Sequence, residues 1–211
     1  MIDAETTRKV MEKLTYGLFV LTAKEGHKNN GCIIDTAMQV TVEPNQICIC
    51  VNRDCLTHDM IKKTDVFNVS IISEKATIDL FKRFGFQSGR EVDKFENYKN
   101  CECADNGVKY ITEGTNAYIS AKVTETKKIG THTMFIGEIT DMKVLDDAPS
   151  ATYAYYQNNI KPKPQGTPTS TGHAVWRCSV CGYEYDAENL PRDFTCPVCN
   201  HSFFFFERAN R

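Results

Sequence analysis

The sequence predicts a mainly β fold, a β-barrel with a few helices, followed by a small metal-binding domain. Short segments rich in β-branched and aromatic residues dominate residues 17–139, and helical patterns are few, which favours a barrel over βαβ units. No GxGxxG motif follows a predicted strand, so a Rossmann dinucleotide domain is not supported. Near the C-terminus, two CxxC pairs are separated by fourteen residues, a spacing that suits a tetrahedral metal site.

The individual elements follow from local patterns. Strands are predicted at residues 17–23, 46–51, 66–72, 117–123 and 134–139. Helices are predicted at residues 4–14, 57–63 and 77–83, with Ser73 as a candidate cap shortly before the last of them. The helices are expected to be minor elements.

Length and charge restrict the class of protein. A chain of 211 residues is long enough for one ordinary domain and a small module. The net charge is −2 and there is no basic stripe, so a nucleic-acid partner is not expected. The N-terminus has no apolar signal core, and no apolar run approaches the roughly 18 residues of a membrane span. We therefore expect a cytoplasmic protein with no membrane association.

A domain boundary is visible in the composition. Residues 161–172 combine three prolines and two glycines with several serines and threonines, and contain no apolar anchor. Such a segment should be semi-extended. The predicted domains are residues 1–160 and 174–211, and residues 161–173 form the linker between them.

The two CxxC pairs carry the most specific chemical signal. Cys178, Cys181, Cys196 and Cys199 can hold one tetrahedral ion, and four thiolates suit both zinc and iron. The surrounding residues 176–186, 190–199 and 203–206 resemble the rubredoxin family. The resemblance implies one iron ion that carries single electrons. The sequence departs from the family in a shorter stretch between the pairs and in Phe194, which stands where the family usually has Trp; a zinc ribbon is the alternative.

A second site is indicated where a strand gives way to a helix. The predicted strand 46–51 is followed by polar residues and then by a helix whose N-terminal amides and positive dipole end suit a phosphate. Arg53, Thr57 and the nearby amides are the phosphate candidates. The alternative for Thr57 is that it merely caps the helix.

Segments 30–44, 47–61, 93–95, 132–138 and 152–156 resemble the flavin reductase-like family of FMN-binding split β-barrels. The resemblance implies FMN as cofactor, NADH or NADPH as electron donor, and a homodimer. It implies cofactor contacts from Asn30, Thr36, Ala37, Met38, Gln39, Asn52, Arg53, Asp54, Thr57, His58 and Phe95. In this reading Thr36 to Gln39 lie beside the isoalloxazine ring, where backbone donors and the Gln39 amide would help to set the flavin potential.

His132 is the candidate catalytic residue. In related flavin reductases the matching histidine lies close to the flavin or the nicotinamide, so His132 is expected to position the hydride donor; a purely structural role is the alternative. Residues 84–89, with Lys94 and Phe95, form an aromatic segment suited to a lid over the flavin, or an ordinary surface loop.

The other six cysteines are expected to be inert. Cys48 and Cys50 share one face of a strand, which fits apolar packing. The remaining four are Cys32 and Cys55, which fall close to the proposed flavin site, and Cys101 and Cys103, whose CxC spacing is a weak metal signal.

Taken together, the two resemblances predict an electron-transfer oxidoreductase similar to the fused proteins described as high-molecular-weight rubredoxins. Electrons would pass from NAD(P)H through FMN to iron and then to an acceptor protein such as a flavodiiron oxygen or nitric oxide reductase. Three alternatives stay open. The barrel could reduce flavin or ferric complexes with the C-terminal domain as a side outlet, a zinc ribbon could serve as a binding module on a flavin-holding domain, or electrons could enter through the rubredoxin-like domain.

Overall fold

The computed structural model describes residues 3–11, 13–162, 175–179, 181–199 and 201–209. The chain divides into two compact units, Met1–Ile160 and Lys161–Arg211. Most of the predicted linker, from residue 163 onward, lies outside the described residues.

The described part of the first unit contains nine strands. They are β1 (Phe19–Glu25), β2 (Lys28–Ile34), β3 (Ala37–Thr41), β4 (Gln46–Asn52), β5 (Val66–Ile72), β6 (Cys101–Cys103), β7 (Lys109–Ile111), β8 (Thr115–Ile129) and β9 (His132–Val144). Seven of them form one antiparallel sheet in the order β2-β1-β5-β8-β9-β4-β3, and β6 pairs with β7. The mainly β prediction is confirmed.

The sheet is curled into a split barrel. Strands β2 and β3 lie at its two opposite edges, yet only Asp35 and Thr36 separate them along the chain. Because so short a connection spans only about 10 Å, the two edges must approach each other there. The backbone bond from Cys50 N to Thr36 O lies at the same place.

Four helices accompany the sheet in the described residues. They are α1 (Ala4–Met11), α2 (Leu56–Thr64), α3 (Ile78–Phe84) and α4 (Tyr153–Tyr155), the last followed by a π-helical turn, Tyr156–Ile160. Helix α2 ends at Thr64, and Asp65 is its C-cap. Asp65 has a left-handed φ of 56°, and its N–H donates to Ile61 O. Lys62 and Lys63 in its last turn favourably face the negative end of the helix dipole. No helix in the described residues has the length and hydropathy needed to cross a membrane.

Two apolar clusters lie on opposite faces of the β1–β5 part of the sheet. Alternation along the chain sends Leu21 and Ala23 into the barrel interior, where they meet Phe67, Phe135 and the buried side of α2. Leu18 and Val20 face the other way and pack against α3 and the π-helical turn. Helix α2 is thereby fixed with its N-terminus beside the end of β4.

The second unit is built around a small three-stranded sheet. Its strands are β10 (Val175–Cys178), β11 (Glu184–Asp186) and β12 (Phe206–Ala209), in the order β11-β10-β12, with a 3₁₀ turn at Phe203–Phe205. Phe194 joins the aromatic core, with its ring centroid 4.4 Å from that of Tyr185 and 5.3 Å from that of Phe206. Phe204, by contrast, is 81% exposed.

The structure corrects several boundaries. Predicted strand 66–72 coincides with β5, whereas predicted strands 117–123 and 134–139 are only the apolar parts of the longer β8 and β9. The distal half of β8 is charged and exposed, so apolar patterning could not reveal it. Ser73 does not cap α3; the N-cap is Thr77, and the Ser73 hydroxyl is buried without a hydrogen bond among the described residues. Helix α1 ends at Met11, three residues before the predicted end.

Candidate functional site

The four C-terminal cysteines form one cluster. The sulfur atoms of Cys178, Cys181, Cys196 and Cys199 all lie within 4.8 Å of one another. Cys178 Sγ is 3.6 Å from Cys199 Sγ, and Cys181 Sγ is 3.4 Å from Cys196 Sγ. A tetrahedral ion with metal–sulfur bonds of about 2.3 Å requires sulfur separations of about 3.8 Å, so the donor set fits such an ion.

Two tight turns bring the sulfurs together. Cys178 ends β10, and the N–H of Gly182 bonds Cys178 O at 2.9 Å, with Gly182 in a left-handed conformation of φ 71°. The second turn is held by a backbone hydrogen bond in which Cys196 N donates to His201 O at 2.8 Å. Four thiolates in this geometry suit iron and zinc alike.

Backbone amides support the sulfur atoms. The amide of Tyr183 bonds the Cys181 side chain and that of His201 bonds the Cys199 side chain, and both bonds favour the thiolate form. Burial nevertheless raises the pKa of Cys181 to about 12, so the thiol is protonated when no ion is bound. Metal binding must therefore release protons from this cluster.

The phosphate candidates lie where β4 meets α2. Asn52 Oδ1 accepts a hydrogen bond from Asp54 N at 3.0 Å, and Asn52 O accepts one from Cys55 N, which turns the chain into the helix. The N-cap of α2 is Cys55, with no side-chain hydrogen bond to the helix. Thr57 therefore does not cap α2, and within the described part of the chain the N-cap makes no side-chain bond that would compete with an anion for the first helical amides.

Arg53 and His132 meet at this end of the barrel. Arg53 Nη1 donates to Gly130 O at 3.0 Å, and Arg53 N donates to Thr131 O at 3.0 Å. His132 pairs directly with Asn52 across β4 and β9. Arg53 and His132 are both exposed, and His132 Nδ1 lies 2.9 Å from Thr131 Oγ1. The tip of the β8–β9 hairpin thus brings the candidate catalytic histidine to the phosphate candidates.

A surface cavity of about 310 Å³ adjoins them. Its lining includes the cationic side chains of Arg53, Lys62 and Lys128, together with His58, Asp59 and Thr133. Three cations around one cavity favour an anionic ligand.

His58 is fixed beneath this cavity. Its Nε2 lies 2.9 Å from Thr133 Oγ1 and its Nδ1 lies 3.0 Å from Asp59 Oδ1. A hydrogen bond from Arg90, and then one from His58, lower the pKa of Asp59. His58 is only 5% exposed, so it acts on a ligand mainly by shaping the cavity wall.

A buried polar cluster lies on the β2 side of the same helix end. Asn30 Nδ2 donates to Thr57 Oγ1 at 2.9 Å, while Asn30 Oδ1 is buried without a partner among the described residues. Lys94 Nζ donates to Gly31 O and Phe84 O, each at 2.9 Å, and burial lowers its pKa. The Asn30 amide packs tightly against Gly89, where an added Cβ atom would collide with it, so the chain itself encloses the unpaired acceptor.

Sequence reasoning did not identify Lys94 as part of this cluster. It placed Lys94 only within a lid segment, because a lysine between Asp93 and Phe95 looks like surface composition. Its position in the family-like 93–95 segment is the one signal that could have found it.

The predicted isoalloxazine run follows the edge of the sheet. Thr36 lies beside Cys50, and Ala37, Met38 and Gln39 pair along β4 away from the phosphate candidates. Met38 is 59% exposed. The Gln39 amide nitrogen donates to Asn45 Oδ1 at 2.8 Å, so a flavin contact from Gln39 would replace this bond.

Phe95 is placed differently from the lid expectation. Its side chain is 8% exposed, and its ring packs 5.4 Å from that of Phe84 and 6.2 Å from that of Tyr98. In this conformation Phe84 and Phe95 stabilise the core around α3 rather than presenting a face to a ligand. Phe86, which is partly exposed, is the aromatic residue of this segment nearest to solvent.

Comparisons with known proteins identify two domains in the chain. Residues 11–163 match the flavin reductase like domain, and residues 176–207 match the rubrerythrin, rubredoxin-like domain. The chain is 34% identical to a high molecular weight rubredoxin of Moorella thermoacetica over 95% of this chain and 98% of that protein. It is 36% identical to a ferric-chelate reductase (NAD(P)H) of Archaeoglobus fulgidus over 74% of this chain and 92% of that protein.

A solved structure supports the fold of the first unit. An FMN-binding protein from Thermus thermophilus superposes with a TM-score of 0.58 and 21% identity, covering 72% of this chain and 79% of that protein. The fold, the four-cysteine cluster and the two domain matches all agree. The chain therefore belongs to the flavin reductase-like family and carries a rubredoxin-like domain at its C-terminal end.

Proposed function

We propose that this protein transfers electrons from NADH or NADPH through FMN to one iron ion held by Cys178, Cys181, Cys196 and Cys199, and from there to an acceptor protein such as a flavodiiron protein. The observation that carries the proposal is the presence of a flavin reductase domain and a rubredoxin-like four-cysteine cluster in one chain. The Moorella thermoacetica relative aligns over almost its full length and therefore supports the same domain combination.

The end of β4 and the start of α2 are proposed to hold the FMN phosphate. Arg53 supplies a cation, and the uncapped amides of α2 supply hydrogen-bond donors. Asn30, Asn52, Asp54, Thr57 and His58 shape the surrounding walls. When bound, FMN supplies the conversion between hydride and single-electron transfer.

The edge strand β3 is proposed to carry the flavin ring. Thr36 lies at the barrel edge beside Cys50, and the backbone of Ala37 and Met38 continues from there away from the phosphate candidates, which would suit the order of phosphate and ring in one extended ligand. The Gln39 amide would exchange its hydrogen bond to Asn45 for one to the ring. The T. thermophilus structure supports FMN as the ligand of this fold.

His132 is proposed to position the nicotinamide. It is exposed beside Asn52 and is held by Thr131 at the hairpin tip, where a second ligand can reach it. Hydride transfer needs alignment of two rings more than it needs an acid or a base. The A. fulgidus relative, named as NAD(P)H-dependent, supports this class of donor.

A homodimer is proposed on the basis of exposed apolar side chains. Met38 and Val40 lie on edge strand β3 and Val42 follows it, and the three side chains are between 46% and 78% exposed. An exposed apolar edge strand is costly unless another surface covers it. A second copy of the chain would supply that surface.

The test is an anaerobic visible spectrum of the purified full chain with its metal analysed, before and after adding NADH and then NADPH. We expect bound flavin, one iron per chain, and bleaching of both the flavin and the ferric-thiolate bands by at least one nucleotide. Cys181→Ala should spare flavin reduction and remove the ferric-thiolate band and electron delivery to the acceptor. Zinc in protein made with ample iron, with no nucleotide oxidation, would contradict the proposal.

A second candidate function is direct reduction of ferric complexes by the barrel. The match to the A. fulgidus ferric-chelate reductase, which lies in the barrel, favours it. In that case Cys181→Ala would retain full ferric-chelate reduction with NAD(P)H. Loss of this activity in the variant would assign ferric reduction to the C-terminal domain instead.

A further inference from the structure

Two cysteines outside the metal cluster lie side by side. Cys32, on β2, belongs to the barrel core cluster, and Cys55, the N-cap of α2, packs against that cluster. Both are free thiols, and their interaction with each other shifts the pKa of both. Sequence separation gave no sign of this contact, because 22 residues lie between the two cysteines and β3 and β4 intervene.

The backbone around the two thiols is held in place. Asn30 precedes Cys32 by two residues on β2, and Thr57 follows Cys55 by two residues. The Asn30–Thr57 hydrogen bond of 2.9 Å therefore joins the same two segments that carry the thiols. Since residues two apart on a strand share a face, Asn30 and Cys32 point to the same side of β2.

The two thiols differ in reactivity. The hydrogen bond from Cys32 lowers the pKa of Cys55, and Lys94 and Arg90 act in the same direction, against burial and Asp54. The pKa of Cys32 is raised by the same hydrogen bond and by burial. Cys55 is half-buried whereas Cys32 is only 8% exposed. Cys55 is thus the accessible nucleophile and Cys32 the buried neighbour, which matches the arrangement of attacking and resolving thiols.

We propose that Cys55 and Cys32 form a redox-active pair that a hydroperoxide converts into a disulfide between α2 and β2. The Cys55 thiolate attacks the outer oxygen of the hydroperoxide, the O–O bond breaks, and the products are a sulfenic acid on Cys55 and an alcohol or water. The Cys32 thiol then attacks the Cys55 sulfur, an S–S bond forms, and water leaves with the oxygen. The two sulfurs together lose two electrons, the peroxide gains them, and an external dithiol reverses the change.

A second pair in the chain provides a matched control. Cys48 and Cys50 lie two apart on β4 and also hydrogen-bond to each other. Burial raises the pKa of both, to about 11 for Cys48, so neither offers a thiolate near neutral pH. Side chains two apart on an extended strand are also too distant for a disulfide, so this pair reports thiol oxidation that involves no partner.

The experiment maps disulfides in the full chain. Fully reduced protein is treated with hydrogen peroxide, blocked with an alkylating agent and digested with trypsin without reduction. Cleavage after Lys28, Arg53 and Lys62 places Cys32 in peptide 29–53 and Cys55 in peptide 54–62. We expect these two peptides to be linked, one link per chain, and to separate after dithiol treatment. Because peptide 29–53 also contains Cys48 and Cys50, the link must be lost in Cys32→Ser and kept in Cys50→Ser.

The variants also test the order of steps. Cys32→Ser should leave a sulfenic acid on Cys55 that a dimedone probe captures, and Cys55→Ser should give neither link nor adduct. If Cys32→Ser does not fold, Cys32→Ala provides the same test. In the wild-type protein, further digestion of the linked peptides with endoproteinase Asp-N, which cleaves before Asp35, separates Cys32 from Cys48 and Cys50 and identifies the linked cysteine directly. The proposal is overturned if exposed Cys103 is oxidised while peptides 29–53 and 54–62 stay unlinked, or if the link persists without Cys32.

Discussion

The amide of Asn30 donates a 2.9 Å hydrogen bond to the hydroxyl of Thr57, and this buried contact ties β2 to the first turn of α2. The helix end proposed to bind the FMN phosphate is therefore positioned from the opposite edge of the sheet. The oxygen of the Asn30 amide is buried without a partner among the described residues. The contact links the stability of the barrel to the geometry of its proposed ligand site.

Thr57→Val should destabilise the barrel and weaken flavin retention. Valine keeps the shape of threonine but leaves the Asn30 amide without its acceptor, which costs about 1–3 kcal/mol. Chemical denaturation measures the first effect, and the flavin content after desalting measures the second.

Thr115→Val is the matched control, because Thr115 is also buried and its hydroxyl donates a 2.6 Å hydrogen bond to Ile111 O. Neither residue belongs to α2. It should lose stability without losing flavin. Equal flavin loss in the two variants would show that general destabilisation, not the α2 end, explains the effect.

Arg53→Ala should reduce FMN affinity about tenfold or more, as expected when a charge-assisted hydrogen bond is lost. Arg53 is exposed and its hydrogen bond to Gly130 O is on the surface, so the unfolding free energy should change little. Equilibrium dialysis with FMN measures the affinity. Lys75→Ala is the control, since it removes a surface cation that pairs with Asp146 outside the site. Unchanged FMN affinity in the Arg53 variant would remove Arg53 from the phosphate site.

His132→Ala should separate nucleotide binding from flavin binding. We expect the KM for the nicotinamide nucleotide to rise about two- to tenfold, which corresponds to the free energy of one lost hydrogen bond. The flavin content should not change. Steady-state kinetics with NADH and NADPH measure the KM. If flavin content falls while the KM is constant, His132 supports the hairpin tip and Arg53 instead of the nucleotide.

Cys196→Ser should unfold the second unit and leave the first intact. A structural metal supplies about 10 kcal/mol or more to a small domain, and the second unit has only a short three-stranded sheet around the cluster. Trp176 is the one tryptophan in the sequence and lies in β10, so its fluorescence reports this unit alone. We expect a red-shifted emission together with an unchanged far-UV melting transition of the barrel. Ser179→Ala, which removes a surface hydroxyl bond to Phe205 O, should change neither.

Tyr118→Phe should be most destabilising below pH 10. The hydrogen bond to Asp141 Oδ2 at 2.6 Å, and then burial, raise the pKa of Tyr118 to about 12 in the folded chain. Unfolded tyrosine has a pKa near 10, so this contribution is fully present below about pH 10 and is lost as the pH rises through about 12. The difference in unfolding free energy should be about 1 kcal/mol at pH 7 and should shrink between pH 10 and 12. Asp141→Asn should bring the tyrosine titration back toward pH 10.

The four-cysteine cluster of the second unit was predicted from its spacing, whereas its strands were not. A CxxC pair at each turn is a local signal for two ligands, but the three-stranded sheet depends on the pairing of β10 with β12, which local spacing does not encode. The aromatic core around Phe194 likewise formed despite the substitution of phenylalanine for tryptophan.

The barrel was predictable in class but not in detail. Apolar alternation identified β4 and β5, whereas β2, with its Lys-Asn-Asn-Gly start, has no such pattern and was found only through the structure. The Cys32–Cys55 contact and the burial of Lys94 depend on how β2, α2 and the 84–95 segment meet. Such contacts are set by tertiary packing, and residue type and spacing along the chain do not encode them.

The two-residue connection between β2 and β3 has a consequence for how this chain can change in length. Asp35 and Thr36 are the only residues that connect the opposite sheet edges, so this connection has no spare length. Met38 is paired with Cys48 just beyond them. One inserted residue would shift β3 by one position against β4 and would turn the exposed side chain of Met38 to the other face of the strand. Among descendants of this sequence, insertions should therefore accumulate in loops such as that between β6 and β7 and be excluded here.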